Sequence, residues 1–318
     1  MNKRQSEVLQ YLDNREKRVL KELEAQYRGA LEDINTSIQI MLTDEQTPSK
    51  IYRIDHQKAL RSQIEGIIEK LHGTEYETIS EYLRDSYMDS FVGSMYDHAG
   101  QGIPLILPID QNAVAKAIEI DSELSEDLYT SLGVDTKNLK KTIRQEITRG
   151  LATTMAYSDI ARNVESLAKA PLNRAKVIVK TEAHRIQEAA RHDSMLQAKS
   201  KGAKEVKIWT SLGNSRVRDS HRDLHGQIRE VDEPFTYGTK KAMYPGDFGD
   251  PALDINCNCK ALPKATWLLD ETTLKELEEQ AAAWGLDKTE DFQDFKKKYL
   301  KAAETLEKSG KNGIIKGQ

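Results

Sequence analysis

The sequence predicts a mainly α protein: an extended N-terminal helical region, then a small α+β, loop-rich C-terminal domain, then a helical tail. Three observations carry this. Apolar residues recur at spacings of three and four through the first hundred residues and again after Thr136. Beyond Gly202 that period gives way to short runs rich in Gly, Pro, Asp and aromatic residues. Charged residues make up 31% of the chain, the hydrophobic set 38%, and mean hydropathy is -0.65, so many side chains must sit on solvated helix faces. The 318 residues suffice for more than one core. The expected boundaries are 1–135, 136–265 and 266–318.

The first stripe runs through Leu12, Leu20, Leu23, Tyr27, Leu31, Ile34, Ile38 and Met41, with charges on the opposite face. Pro48 is expected to break it. A second helix carries Leu60, Ile64, Ile67, Ile68 and Leu71, and Gly73 is placed to end it with a left-handed cap. A third segment spaces Tyr76, Ile79, Tyr82, Leu83, Tyr87, Phe91 and Tyr96 helically, an aromatic stripe that reads as core. Prolines 104 and 108 exclude a helix interior from the run 102–109, whose aliphatic residues favour an extended, strand-like segment. The helical period resumes at Leu139 and Ile143. Pro171 suits the first turn of a helix running to Ser200 and closed by Lys201-Gly202. Val206 to Trp209 reads as a strand. The region 266–307 returns to helix, with a break at Gly285.

No apolar run approaches the roughly 18–20 residues that cross a bilayer, and the first ten residues lack a signal-peptide core, so a cytoplasmic site of synthesis without a membrane partner is expected. Gly-rich phosphate loops and the His-Glu-x-x-His pattern are absent, which excludes an ATP motor and the common zinc hydrolases. The net charge of -4 conceals an asymmetry. Residues 136–207 hold 16 Lys/Arg against 7 Asp/Glu, an excess of nine, and the remainder sits at -13. A basic middle in an acidic chain suggests a polyanionic neighbour.

The informative window is Lys180 to Pro263. It holds Thr181-Glu182 with Arg185 one turn on, Trp209, Arg216-Val-Arg218-Asp219-Ser220-His221, Leu224-His225-Gly226, Met243-Tyr244-Pro245-Gly246-Asp247 and Asn256-Cys257-Asn258-Cys259. This order resembles the phage minor head proteins related to the F protein of phage Mu, the head morphogenesis family, over roughly residues 140–263. The chain departs from the usual pattern at Lys180 and Asn258, where Arg is common. The resemblance implies a structural, non-enzymatic protein of the tailed-phage virion, held in few copies in the procapsid and capsid interior. It would assemble in the host cytoplasm, meet the portal and other capsid or scaffolding proteins, and act in assembly, DNA packaging or ejection. Residues 1–135 would then dock to portal or capsid, 136–265 would be the Mu F-like domain, and 266–318 a helical tail too short for the toxin domain some relatives carry there.

Three candidate chemistries follow from the residues. Cys257 and Cys259 are reduced thiols or ligands, since one intervening residue makes a disulfide difficult; with His221 and His225 they form a candidate zinc set. The alternative is a buried thiol pair packed with Trp209 and Tyr244. Lys137, Lys140, Lys141 and Arg144, then Arg174, Lys176 and Lys180, are candidate contacts to phosphates of double-stranded DNA, against the alternative of a solvated face paired with the acidic remainder of the chain. A nuclease or toxin-like enzyme would use His221 as acid–base and Arg218 for charge stabilisation, against a polar lattice that includes Arg218 and Asp219. Thr181, Glu182, Arg185 and Trp209 read as structural.

Overall fold

The long apolar stripes become three long helices: α1 (Lys3–Thr43), α2 (Lys50–Gly100) and α3 (Tyr157–Ser200). The computed structural model describes residues 1–43, 50–105, 134–143, 157–211, 217–267 and 271–308, with 107, 109, 145, 146, 149 and 213 between those runs. Pro48, Arg144 and Arg216 lie outside the described residues. The helical reading holds for the N-terminal region, with two corrections. Gly73 does not end a helix: α2 passes straight through it. A helical glycine costs only about 1 kcal/mol relative to alanine, and Ile68, Leu71 and Ile79, apolar residues buried on either side, outweigh that. Pro171 does not open a helix either, but sits inside α3. It removes one backbone donor at a cost of about 3 kcal/mol, offset by buried Val164 and Ala168 before it and Ala175 and Val179 after it.

The chain divides into two compact units, each drawn from separate stretches. One combines Lys17–Tyr82 with Asp121–Val179. Its core joins Tyr27, Ile34 and Ile38 of α1, Ile64, Ile68 and Leu71 of α2, Leu139 and Ile143, and Ile160, Val164 and Ala168 of α3. Within this unit α1 and α2 run antiparallel, Gln26 meeting Thr78 and Tyr27 meeting Glu75. The Tyr27 hydroxyl donates to Glu75 at 3.0 Å. Burial is the main cause that pushes the Glu75 carboxyl up to about 7, against the opposing hydrogen bond from Tyr27. Three pairs lace the rim: Lys176 with Glu24 at 2.5 Å, Lys140 with Glu69 at 2.5 Å and Arg174 with Asp135 at 3.1 Å.

The other unit contains Met1–Glu16, Leu83–Ile120 and Lys180–Gln318. Here too α1 and α2 are antiparallel, with Asn2 on Asp97 and Arg15 on Asp85 and Asp89. Gly93 allows the approach: a Cβ there would collide with Val8 Cγ1. Strand β1 (Lys204–Thr210) forms where Val206 and Ile208 alternate with Glu205, Lys207 and Trp209, and the second set is the buried one. It is the centre of a three-stranded antiparallel sheet between β2 (Ile228–Glu230) and β5 (Lys260–Trp267). Strands β3 (Phe235–Tyr237) and β4 (Lys240–Ala242) make a separate hairpin. Two short helices, α4 (Asp219–Leu224) and α5 (Pro251–Asp254), fill the loops. Asp250 caps α5 by accepting from the Ala252 amide at 2.8 Å, with Pro251 in the first turn as its fixed φ favours.

Helices α6 (Glu271–Ala283) and α7 (Phe292–Lys308) are separated at Gly285, whose φ of 67° is the left-handed value that glycine tolerates. The segment expected to be strand-like near 102–109 joins no sheet among the described residues. Ile103, Leu105 and Leu107 are buried as an irregular run, and the backbone of Leu107 bonds to the Tyr299 hydroxyl of α7 instead of a strand edge. With two prolines in the run, few amides remain for a ladder. The fold class stands as mainly α with a small α+β, loop-rich region. No helix among the described residues is long and apolar enough to cross a membrane.

Candidate metal centre and the helix beneath it

Cys257 and Cys259 lie on the extended approach to β5. An extended chain sends residues i and i+2 to the same face, so both thiols point inward while Asn258 is exposed. The turn that aims this segment is made by Asn256, whose φ of 55° is the one left-handed non-glycine among the described residues. On α4, His221 is buried and turns Nδ1 toward both sulfurs, 3.2 Å from Cys259 Sγ and 3.6 Å from Cys257 Sγ. The three ligand atoms all fall within 4.8 Å of one another. Around them pack Trp209, Leu224, Phe235 and Ala261, with Tyr237 and Phe248 at the margin. Trp209 stands edge-on to His221 at 6.2 Å and to Phe235 at 5.1 Å. The thiols are inequivalent. A hydrogen bond toward Cys259 holds the Cys257 thiol well above its ordinary range, and the same bond lowers Cys259, with the Trp209 indole assisting.

His225 does not join this cluster. It is exposed at the end of α4, and its Nδ1 accepts the Ser211 amide at 3.0 Å. Tyr244 instead stacks obliquely on His192. Arg218 donates to the carbonyls of Ala252, at 2.6 Å, Leu253 and Ile255, so its guanidinium closes the C-terminal end of α5. Asp219 pairs with Arg222 at the surface of α4. On α3, Glu182 and Arg185 form an i,i+3 pair at 3.0 Å, and the Thr181 hydroxyl accepts the Asn256 amide at 3.3 Å, tying α3 to the turn before the cysteines. Of the basic candidates, Lys140, Arg174 and Lys176 are engaged in the rim pairs described above. Lys137, Lys141 and Lys180 make no ion pair among the described residues.

Sequence reasoning missed the buried polar row beneath the cysteine strand. His184, Glu188 and Arg191 follow one another at four and three residues on the inner face of α3, and all three are buried. His184 donates from Nε2 to the Cys259 carbonyl at 2.7 Å, and burial lowers its pKa to about 3, so the ring is neutral. Glu188 accepts the Ala261 amide at 2.8 Å, pairs with Arg191 and lies 3.5 Å from Lys260. Although burial opposes it, these cations hold the Glu188 carboxyl below its ordinary value. Across the sheet, Lys207 is fully buried, donates to the Met243 carbonyl at 2.8 Å and lies over the Phe235 ring; burial lowers its pKa to about 8. The spacing His-x-x-x-Glu-x-x-Arg, interleaved with Ala183, Ala190 and Met195, was the available signal.

This domain combines a long helix bearing a buried His–Glu–Arg row, a small antiparallel sheet, and a Cys-x-Cys segment facing a histidine. Residues 141–262 match the family described as Phage Mu protein F like protein, which bears out the resemblance read from the sequence. The chain is similar to one phage minor head protein: it is 30% identical over 203 residues to Minor head protein GP7 of Bacillus phage SPP1, covering 61% of this chain and 64% of that one. It is 27% identical over 191 residues to the NAD(+)–arginine ADP-ribosyltransferase EFV of Enterococcus faecalis, covering 58% of this chain and 38% of that one. An uncharacterized protein of Haemophilus influenzae is 27% identical over 124 residues, or 38% of this chain and 24% of that one. The matches therefore span less than two thirds of each relative. No solved structure matches.

Proposed function

We propose that this chain is a structural minor head protein of a tailed bacteriophage, built into the procapsid near the portal, retained in the capsid interior, and acting in DNA packaging or ejection. The observation that carries the reading is the match of residues 141–262 to the Mu protein F-like family together with the similarity to the SPP1 minor head protein. Its partners are the portal and other capsid or scaffolding proteins, met in the host cytoplasm during assembly. Residues 1–135 supply the docking surface. DNA is contacted through phosphates by Lys137, Lys141 and Lys180, the basic candidates without an ion pair among the described residues, and without base readout.

The role is non-catalytic. A nuclease or toxin-like enzyme needs His221 open to substrate and Arg218 free to meet a phosphate. His221 is instead buried against two sulfurs, and Arg218 is engaged by three backbone carbonyls. The activity named for the Enterococcus relative belongs to a chain of which the match covers 38%. The test is composition of heads. Gradient-purified procapsids and virions from cells that encode this chain are expected to contain it at a few copies per particle by quantitative mass spectrometry. Heads that form normally and never contain it would overturn the reading.

A further inference from the structure

We propose that His221 Nδ1, Cys257 Sγ and Cys259 Sγ bind one zinc ion, with a solvent oxygen as fourth ligand, and that the ion staples α4 to the cysteine strand. The geometry argues for it first. In a tetrahedral site with Zn–S of about 2.3 Å and Zn–N of about 2.0–2.1 Å, a nitrogen and a sulfur ligand stand about 3.6 Å apart. The two Nδ1–Sγ separations are 3.2 and 3.6 Å, and all three atoms lie within 4.8 Å, so one ion can reach all three with small side-chain movements.

The chemistry of the donor set argues for it second. Two thiolates and a neutral imidazole around Zn²⁺ give a group of zero net charge, the form that burial among Trp209, Leu224 and Phe235 penalises least. Each ion bound releases the two thiol protons. Neither remaining neighbour supplies the fourth ligand. His225 is held by the Ser211 amide, and the two carboxylate oxygens of Asp254 accept the amides of Phe248 and Asp250. The local architecture argues for it third. Inward-facing cysteines two residues apart in an extended segment, and a histidine from a helix thirty-odd residues earlier, bring buried ligands from two separate segments to one point. A metal link contributes most to stability in such a small, loop-rich unit.

The experiment uses the full chain, reduced and stripped of metal, then titrated with zinc chloride, or with cobalt(II) chloride as a spectroscopic stand-in. After desalting, about one zinc per chain is expected by elemental analysis. The cobalt form is expected to show thiolate-to-metal charge transfer and the visible bands of a tetrahedral ion. The variants Cys257→Ser, Cys259→Ser and His221→Gln should each lose stoichiometric zinc while far-ultraviolet circular dichroism reports their folding, and His225→Gln should retain it. Because a ligand variant can fail to fold, the wild-type cobalt spectrum decides independently. Folded, reduced wild type that retains no zinc and shows no charge-transfer band would overturn the proposal, as would loss of zinc in His225→Gln. Either failure leaves the head-protein reading untouched, since that rests on composition of particles.

Discussion

Glu75 offers a test of how the core of Lys17–Tyr82 and Asp121–Val179 is balanced. Its carboxyl is 1% exposed, receives the Tyr27 hydroxyl at 3.0 Å, and titrates near 7 against about 4.5 when unfolded. The folded state therefore holds the proton more tightly than the unfolded state. Its contribution to stability is fully present below about pH 4.5 and is lost as pH rises through about 7. Linkage between those two values gives a loss of about 2.5 kcal/mol between about pH 5 and pH 8. Replacing Glu75 with Gln keeps the shape and an acceptor for Tyr27 but removes the titration. Urea unfolding of wild type and Glu75→Gln across that range should show the variant gaining relative stability steadily as pH rises, by about that amount in total. A difference that stays constant with pH, or that favours wild type more strongly at the alkaline end, would refute the burial argument.

Removing the buried carboxylate beneath the cysteine strand in Glu188→Ala would leave Arg191 and Lys260 without their partner and the Ala261 amide without its acceptor, for an expected loss of about 3–5 kcal/mol. Because the folded Glu188 carboxyl is held low, its contribution in wild type is present at neutral pH and declines on acidification, so the wild-type advantage measured by chemical denaturation should shrink as pH falls. Changing Lys137, Lys141 and Lys180 together to Gln is expected to weaken binding to unrelated DNA duplexes and to make the log–log salt slope shallower by about 0.9 for each phosphate that is no longer neutralised. Equal binding by wild type and variant in gel-shift titrations at several salt concentrations would show that these side chains do not meet DNA.

Much of the site was legible as residue types, and less of it as geometry. The thiols at 257 and 259 stood out because the chain holds only two cysteines, with the histidine at 221 in the same window, and an extended period of two already places both sulfurs on one face. That His225 would turn to the Ser211 amide, and that Arg218 would close α5 through its carbonyls, depends on loops whose paths no local pattern dictates. The buried row His184, Glu188 and Arg191 escaped notice because charged residues on a helix usually face water. Only the strand laid across α3 supplies the amide and the lysine that make their burial tolerable.

By itself the sequence determined what depends on neighbours a few residues away. The helical stripes at spacings of three and four, the strand around Val206 to Trp209, the stop at Gly202 and the break at Gly285 all follow from side-chain period and from glycine's access to positive φ. Tertiary structure decided where local and long-range preferences disagree. Gly73 and Pro171 are weak points that a helix in isolation would use as ends, yet α2 and α3 continue through them because the residues on both sides bury apolar surface against distant segments. The same holds for pairs such as Lys176 with Glu24, 152 positions apart, and His221 with Cys259, 38 apart. A helix period announces which face turns inward. What waits on that face is decided by packing, since burial free energy belongs to the assembled surface and not to any one segment.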